Sequence, residues 1–177
     1  MKKYEFTGET KEIRLLFRTA TLHRIRATVA FGIVEVGDLG GWIEKEENLS
    51  HEGKAWVCGD AKVWGNAKVW GNAEVCGDAE VWGNAKVCGD AEVFSASHVL
   101  VIGAIGSRND FTTFYRDKDN EITVKCGCFL GKIDRFLEKV TQTHGDSKYA
   151  LVYRAAVEVA KLQIDLSGEA PKDADEE

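Results

Sequence analysis

From Val57 to Glu92 the chain repeats one six-residue pattern six times without a slip: valine, tryptophan or cysteine, glycine, asparagine or aspartate, alanine, lysine or glutamate. Aliphatic and small positions thus recur every six residues, and a fixed period of that length predicts a β-helix. In a left-handed triangular β-helix three hexapeptides close one coil, and coils stack at about the 4.8 Å strand spacing. Valine then lines each flat side and alanine sits near each corner. Gly-Asn and Gly-Asp make the bends, because these residues tolerate positive φ. Gly53, Lys54, Ala55 and Trp56 precede the run in phase. Val93, Val99 and Ile105 extend the inward column, with Ala91, Ser97 and Gly103 in the small position. Three to four coils are expected over residues 35–106.

The flanks change period. Residues 12–17 and 21–29 are strand-like runs around Arg18, Thr19 and Ala20, which predict a β-hairpin capping the first coil within residues 1–34. Residues 37–43 form a glycine-rich lead-in. Beyond Gly106 the repeat stops. Residues 110–116 and 121–126 read as a second hairpin. Ile133, Phe136, Leu137 and Val140, then Tyr149, Val152, Tyr153, Ala156 and Ala160, recur at helical spacing. A ββαα unit is therefore expected over residues 107–168. Residues 169–177 carry five acidic residues against one lysine and read as a disordered acidic tail. The expected class is mainly β.

A coil of three hexapeptides also predicts which outward side chains stack. Cys58, Cys76 and Phe94 form one column, Trp64, Trp82 and Leu100 another, Trp70 and Cys88 a third. An uncovered column of this kind is an apolar patch that marks an interface. Trp64, Trp70, Trp82, Phe94 and Leu100 are the interface candidates. Three readings are open: coverage by the chain's own termini, self-association into a homo-oligomer, or a ligand platform.

Charge and cysteines narrow the setting. The net charge of −6 disfavours general nucleic-acid binding, which rests on phosphate neutralisation, although residues 1–30 hold seven Lys/Arg against three Glu. No apolar run is long enough to span a bilayer and no signal-peptide pattern opens the chain, so a cytoplasmic protein is expected. A position shared by Cys and Trp asks for apolar bulk, and the Cys126-Gly127-Cys128 spacing is too tight for the usual zinc or redox motifs. All five cysteines are expected to be reduced thiols.

Candidate chemistry lies after the repeat. Arg108, Thr112, Thr113, Arg116 and Lys125 gather hydroxyls and cations on or near the second hairpin, with His144 and the thiols of Cys126 and Cys128 to complete a pocket. Such a set suits an anionic group such as phosphate. The four histidines (His23, His51, His98 and His144) are too scattered for a three-histidine zinc site, and no nucleotide-binding glycine motif occurs. No catalytic residue, metal or cofactor is assigned.

The repeat, the lead-in over residues 37–44 with Asn48, Leu49 and Ser50, and the later run Ile105 to Asp110, Thr112 to Phe114, Cys126 to Phe129 and Thr143 to Gly145 resemble the YdcK-type hexapeptide-repeat β-solenoid proteins of phage or prophage origin, with the C-terminal module that often follows such solenoids. The resemblance implies a solenoid fold and a mobile-element origin. On this basis the chain is expected to be a non-catalytic, oligomeric, phage-type accessory protein. It would bind a host molecule, either a nucleotide-like signal or a host protein, and counteract host defence. The alternative is a hexapeptide-type acyltransferase using acyl-coenzyme A, which would need a histidine base that the uninterrupted repeat does not offer.

Overall fold

The structure, a computed structural model, describes residues 1–168; the acidic tail expected at residues 169–177 lies outside the described residues. The Leu15 N–H donates to the Arg18 carbonyl (2.8 Å) and closes the bend between β1 (Tyr4–Arg14) and β2 (Thr19–Ala27). These strands pair antiparallel, and β3 (Leu39–Ile43) pairs antiparallel with β2. Tyr4, Ile25 and Ile43 reach from this sheet into the main core.

Each pass of the repeat contributes one strand of two residues. They are β4 (Trp56–Val57), β5 (Lys62–Val63), β6 (Lys68–Val69), β7 (Glu74–Val75), β8 (Glu80–Val81), β9 (Lys86–Val87) and β10 (Glu92–Val93). A glycine at positive φ ends each strand from β4 to β9. Gly71, at 77°, is representative: a Cβ there would lie 3.0 Å from the Gly89 nitrogen, so only glycine fits between neighbouring backbones. The strands pair in parallel: β3 with β5 and β5 with β8, β4 with β7 and β7 with β10, β6 with β9. From β4 on, the amides reach forward by a constant 17 residues: Lys62 to Ala79 (2.9 Å), Trp64 to Val81 (3.0 Å), Lys68 to Ala85 (2.9 Å), Glu74 to Ala91 (2.8 Å).

Val57, Val63, Val69, Val75, Val81, Val87 and Val93 are all buried, as are the repeat alanines, and they form one core with Tyr115. Each fully buried valine contributes about 1.5–3 kcal/mol relative to an exposed one. The Lys62–Glu80 pair on the surface, at 2.9 Å, adds at most about 1 kcal/mol. The valines hold this part together.

The C-terminal unit is a four-stranded antiparallel sheet of β11 (Val99–Ile105), β12 (Asp110–Arg116), β13 (Ile122–Cys126) and β14 (Phe129–Lys132), followed by α1 (Ile133–His144) and α2 (Lys148–Gln163). Phe114, Val124, Phe136, Val140, Tyr153 and Val157 form its core. Asp117 fixes the turn after β12. Its buried carboxylate accepts from Thr123 Oγ1 (2.5 Å), Lys132 Nζ (2.5 Å) and the Asp119 N–H (3.0 Å). Burial alone would raise its pKa, but these donors hold it below the ordinary aspartate value.

Several expectations need correction. The class is mixed α/β, and no left-handed triangular β-helix or solenoid of three to four coils stands as the architecture. The described chain has four small sheets, of five, three, four and two strands, and two helices. The glycine at every sixth position limits each repeat strand to two residues, so the repeat is shared among small sheets, one of them continuous with antiparallel N-terminal strands. Val99 and Ile105 do not continue the repeat, because β11 turns away to pair with β12. The second unit has four strands before its helices, where ββαα was expected. The cysteines are not all free: Cys58 and Cys76 are joined as a disulfide, with Cα atoms 4.6 Å apart. Among the described residues no helix is long and apolar enough to cross a membrane.

Lys3 supplies a test of the N-terminal packing. It is 3% exposed, its Nζ donates to the Ala55 carbonyl (2.6 Å) and lies over the Phe31 ring, and burial pushes its pKa down to about 8. Between that value and the ordinary lysine pKa the unfolded chain binds a proton that the fold does not, so Lys3 makes stability rise with pH in this window. Urea unfolding of wild type and Lys3→Met from about pH 7 to about pH 10 should show the difference in midpoint changing through the window. A constant difference would mean that Lys3 stays charged in the fold.

Candidate functional site

The turn after β11 and the turn between β13 and β14 bring two loops against the ends of α1 and α2. Between them lies a cleft of about 150 Å³. Its floor is aromatic and aliphatic: Phe129, Phe136, Val140 and Tyr153, all continuous with the C-terminal core. Its rim is polar, with Ser107, Arg108 and Asp110 from one loop, Cys126, Gly127 and Cys128 from the other, and Lys139, Thr143 and His144 from α1.

Two glycines shape this cleft. Gly106, at φ 72°, leaves room for the Tyr153 hydroxyl, which a Cβ there would meet at 1.9 Å. Gly127, at φ 55°, lets the Arg108 guanidinium lie across the opposite loop, with Nη1 3.0 Å from where a Cβ would be. The ring of His144 stacks on Tyr153 at 5.8 Å. Burial, reinforced by the neighbouring Cys126 thiol, pushes Tyr153 up to about 12, so its hydroxyl is a neutral donor at ordinary pH. Among the described residues neither the Arg108 guanidinium nor the Lys139 ammonium has a hydrogen-bond or ion-pair partner. Two uncommitted cations beside one acid, Asp110, give the rim a positive balance. The arrangement can hold an anion over an apolar floor.

The expected ligand residues divide. Arg108 and His144 line the cleft, with Cys126 and Cys128 beside them. Thr112, Thr113, Arg116 and Lys125 do not line it. The Thr112 hydroxyl donates to the Cys126 sulfur (3.3 Å) from beneath. Thr113 Oγ1 accepts the Lys86 N–H (3.0 Å) and closes the end of β9. Arg116 is buried between Asn120, the Gly168 carbonyl and the Phe94 ring. Lys125 donates to the Gly127 carbonyl (2.7 Å). Lys139 and Tyr153 were missed as functional candidates. A signal existed: Phe136, Lys139, Val140, Thr143 and His144 share one helical face.

The interface candidates also divide. Trp64 is buried against Leu22 and Trp42 of the N-terminal strands and stacks on Trp82 at 6.1 Å. Phe94 is buried and Trp70 and Leu100 are half-buried, whereas Trp82 is 60% exposed. Among the described residues no cluster of His, Cys, Asp and Glu could hold a metal ion.

No protein-family model matches the chain, and no curated protein matches it. Together with the separate small sheets, this overturns the resemblance to YdcK-type β-solenoid proteins and the phage or prophage origin drawn from it.

Gly106→Ala tests the closeness of the cleft walls. The new methyl group overlaps the Tyr153 hydroxyl and must adopt positive φ, so a loss of about 2–4 kcal/mol in denaturant unfolding is expected. In a Tyr153→Ala background, which removes the hydroxyl and the ring carbons that a Cβ would meet at 1.9, 2.1 and 2.7 Å, Gly106→Ala should cost less. An undiminished cost would show that backbone strain alone sets it.

Proposed function

We propose that the protein is a non-catalytic binding protein whose C-terminal unit holds a small anionic molecule. The observation that carries this reading is the pair of uncommitted cations, Arg108 and Lys139, at the rim of an aromatic-floored cleft. Guanidinium offers a planar fork to a phosphate or carboxylate, and the neutral Tyr153 hydroxyl and the Ser107 hydroxyl add directional donors. At about 150 Å³ the cleft is smaller than the roughly 300–1,000 Å³ usual for whole cofactors. It suits one phosphate or carboxylate group and a flat apolar portion against Phe129 and Phe136.

Isothermal titration with inorganic phosphate, adenosine monophosphate, benzoate and acetyl-coenzyme A separates the possibilities. Binding of one of the first three is expected, weakened about tenfold or more in Arg108→Ala and several-fold in Lys139→Ala, as loss of a charge-assisted hydrogen bond requires. Turnover of acetyl-coenzyme A, or affinity unchanged in Arg108→Ala, would overturn the proposal.

The protein acts as a homo-oligomer in this reading, through α2. Ala150, Tyr153, Ala156, Val157 and Ala160 bury one face of that helix. The other carries Leu151 (59% exposed), Val152 (38%), Val159 (49%) and Leu162 (89%). Val152, Ala155, Val159 and Leu162 alternate at three and four residues, the spacing of a helix–helix seam. A helix apolar on both faces is normally covered on both. A dimer joined through α2 is the expected mass in light scattering, and Leu162→Glu should give a monomer. A wild-type monomer at sub-millimolar concentration would sink this part.

A further inference from the structure

The last three repeat strands end in different ways. At β9, the Lys86 N–H donates to Thr113 Oγ1 (3.0 Å) and the Cys88 carbonyl accepts from the Tyr115 hydroxyl (2.8 Å). At β10, the Phe94 N–H donates to His98 Nδ1 (3.1 Å), and Ala91 bridges to Asp117. Both edges meet partners from the segment that follows the repeat, although the Cys88 amide has no acceptor among the described residues. At β8 the edge is open. One layer earlier, the Lys62 and Trp64 amides donate to Ala79 and Val81 of β8. Among the described residues the corresponding amides of β8, those of Glu80 and Trp82, have no acceptor. Residues 97–99 hold the sequence position of the next strand, but Val99 pairs with Tyr115 of β12 and the Ser97 carbonyl accepts from Asp165.

A groove of about 480 Å³ runs along this open edge, lined by residues 80–85 on one side and by Val99, Leu100, Val101 and Phe111 on the other. The exposed face of Trp82 lies in it, backed by the stack on Trp64. Unpaired edge amides beside an apolar groove are what strand addition uses: the backbone supplies hydrogen bonds and alternate side chains supply selectivity.

We propose that this groove receives an extended segment of another polypeptide, added as a strand beside β8 and carrying the order cationic, aliphatic, aromatic. The layer beneath defines that order. Lys62 pairs with Glu80 at 2.9 Å, Val63 pairs in register with Val81, and Trp64 stacks on Trp82. An incoming strand continues this order along the edge: a cation on the Glu80 carboxylate, an aliphatic side chain against Val99 and Val101, which pack on the core that holds the buried Val81, and an aromatic ring on Trp82. The chain's own residues 169–177 are a poor fit, with five acidic residues that Glu80 repels. A folded second copy does not supply the segment either, because its Lys62-Val63-Trp64 is already paired on both sides. This docking site is independent of the Arg108 cleft.

The probe is a fluorescein-labelled peptide, Asp-Ala-Lys-Val-Trp-Gly-Asn, with a scrambled peptide and one carrying Glu in place of Lys as controls. Anisotropy should show saturable binding at least tenfold tighter than either control. Amide hydrogen exchange should slow at Glu80 and Trp82. Trp82→Ala, at an exposed position that spares the core, should reduce affinity tenfold or more. Glu80→Gln should erase the preference for Lys over Glu. Equal binding of the scrambled peptide, or binding that leaves the Glu80 and Trp82 amides unprotected, would overturn the proposal.

Discussion

The constant offset of 17 residues between donor and acceptor governs the repeat region. A strand of two residues makes too few hydrogen bonds to persist alone, so each is held by at least one parallel neighbour, and β5 and β7 by two. The offset stays constant because every bend has the same length and the same glycine conformation. Valine then falls on valine and alanine on alanine, and the core follows from the register. Such an arrangement must be closed where it stops. The N-terminal strands close one end with Tyr4, Ile25 and Ile43. Thr113, Tyr115 and His98 close two of the three strands at the other.

Much of this register was legible in the sequence. The six-residue period located the buried valines and alanines and the glycine bends, and it placed Trp64 under Trp82 and Lys62 beside Glu80. The sheet architecture was not legible. Periodicity reports which side chains are equivalent; it does not say how many residues of each pass make ladder bonds, or where the chain leaves the register. Val99 fits the inward pattern in sequence, yet the long antiparallel pairing of β11 with β12 outweighs one more two-residue strand. The disulfide was missed because a position shared by Cys and Trp reads as apolar bulk. The 18-residue column puts Cys58 beside Cys76, and their Cα atoms lie 4.6 Å apart, close enough for the sulfurs to join.

The cleft was half legible. Charge and chemistry single out Arg108 and His144, and they share a rim. Thr113 and Arg116 meet the same rule but are spent on structure: one satisfies a backbone amide, the other lies against the Phe94 ring. Hydroxyl and guanidinium groups close strand ends as readily as they hold ligands, and the sequence carries no mark of which task a given group performs. Lys139 shows the converse. Its role depends on which face of α1 looks at the loops, and that is decided by Phe136 and Val140 packing inward.

β12 links the two halves of the molecule in a way neither half shows by itself. Phe114 points into the C-terminal core and Tyr115 into the valine core, so consecutive residues of one strand belong to different interiors. The flanking positions repeat the division, with Thr113 on the β9 edge and Thr112 beneath Cys126. The boundary between the units therefore runs through the middle of a strand, along the backbone itself, and no linker separates them. β12 is an outer wall for one unit and an inner strand for the other, so removing it would open both interiors at once.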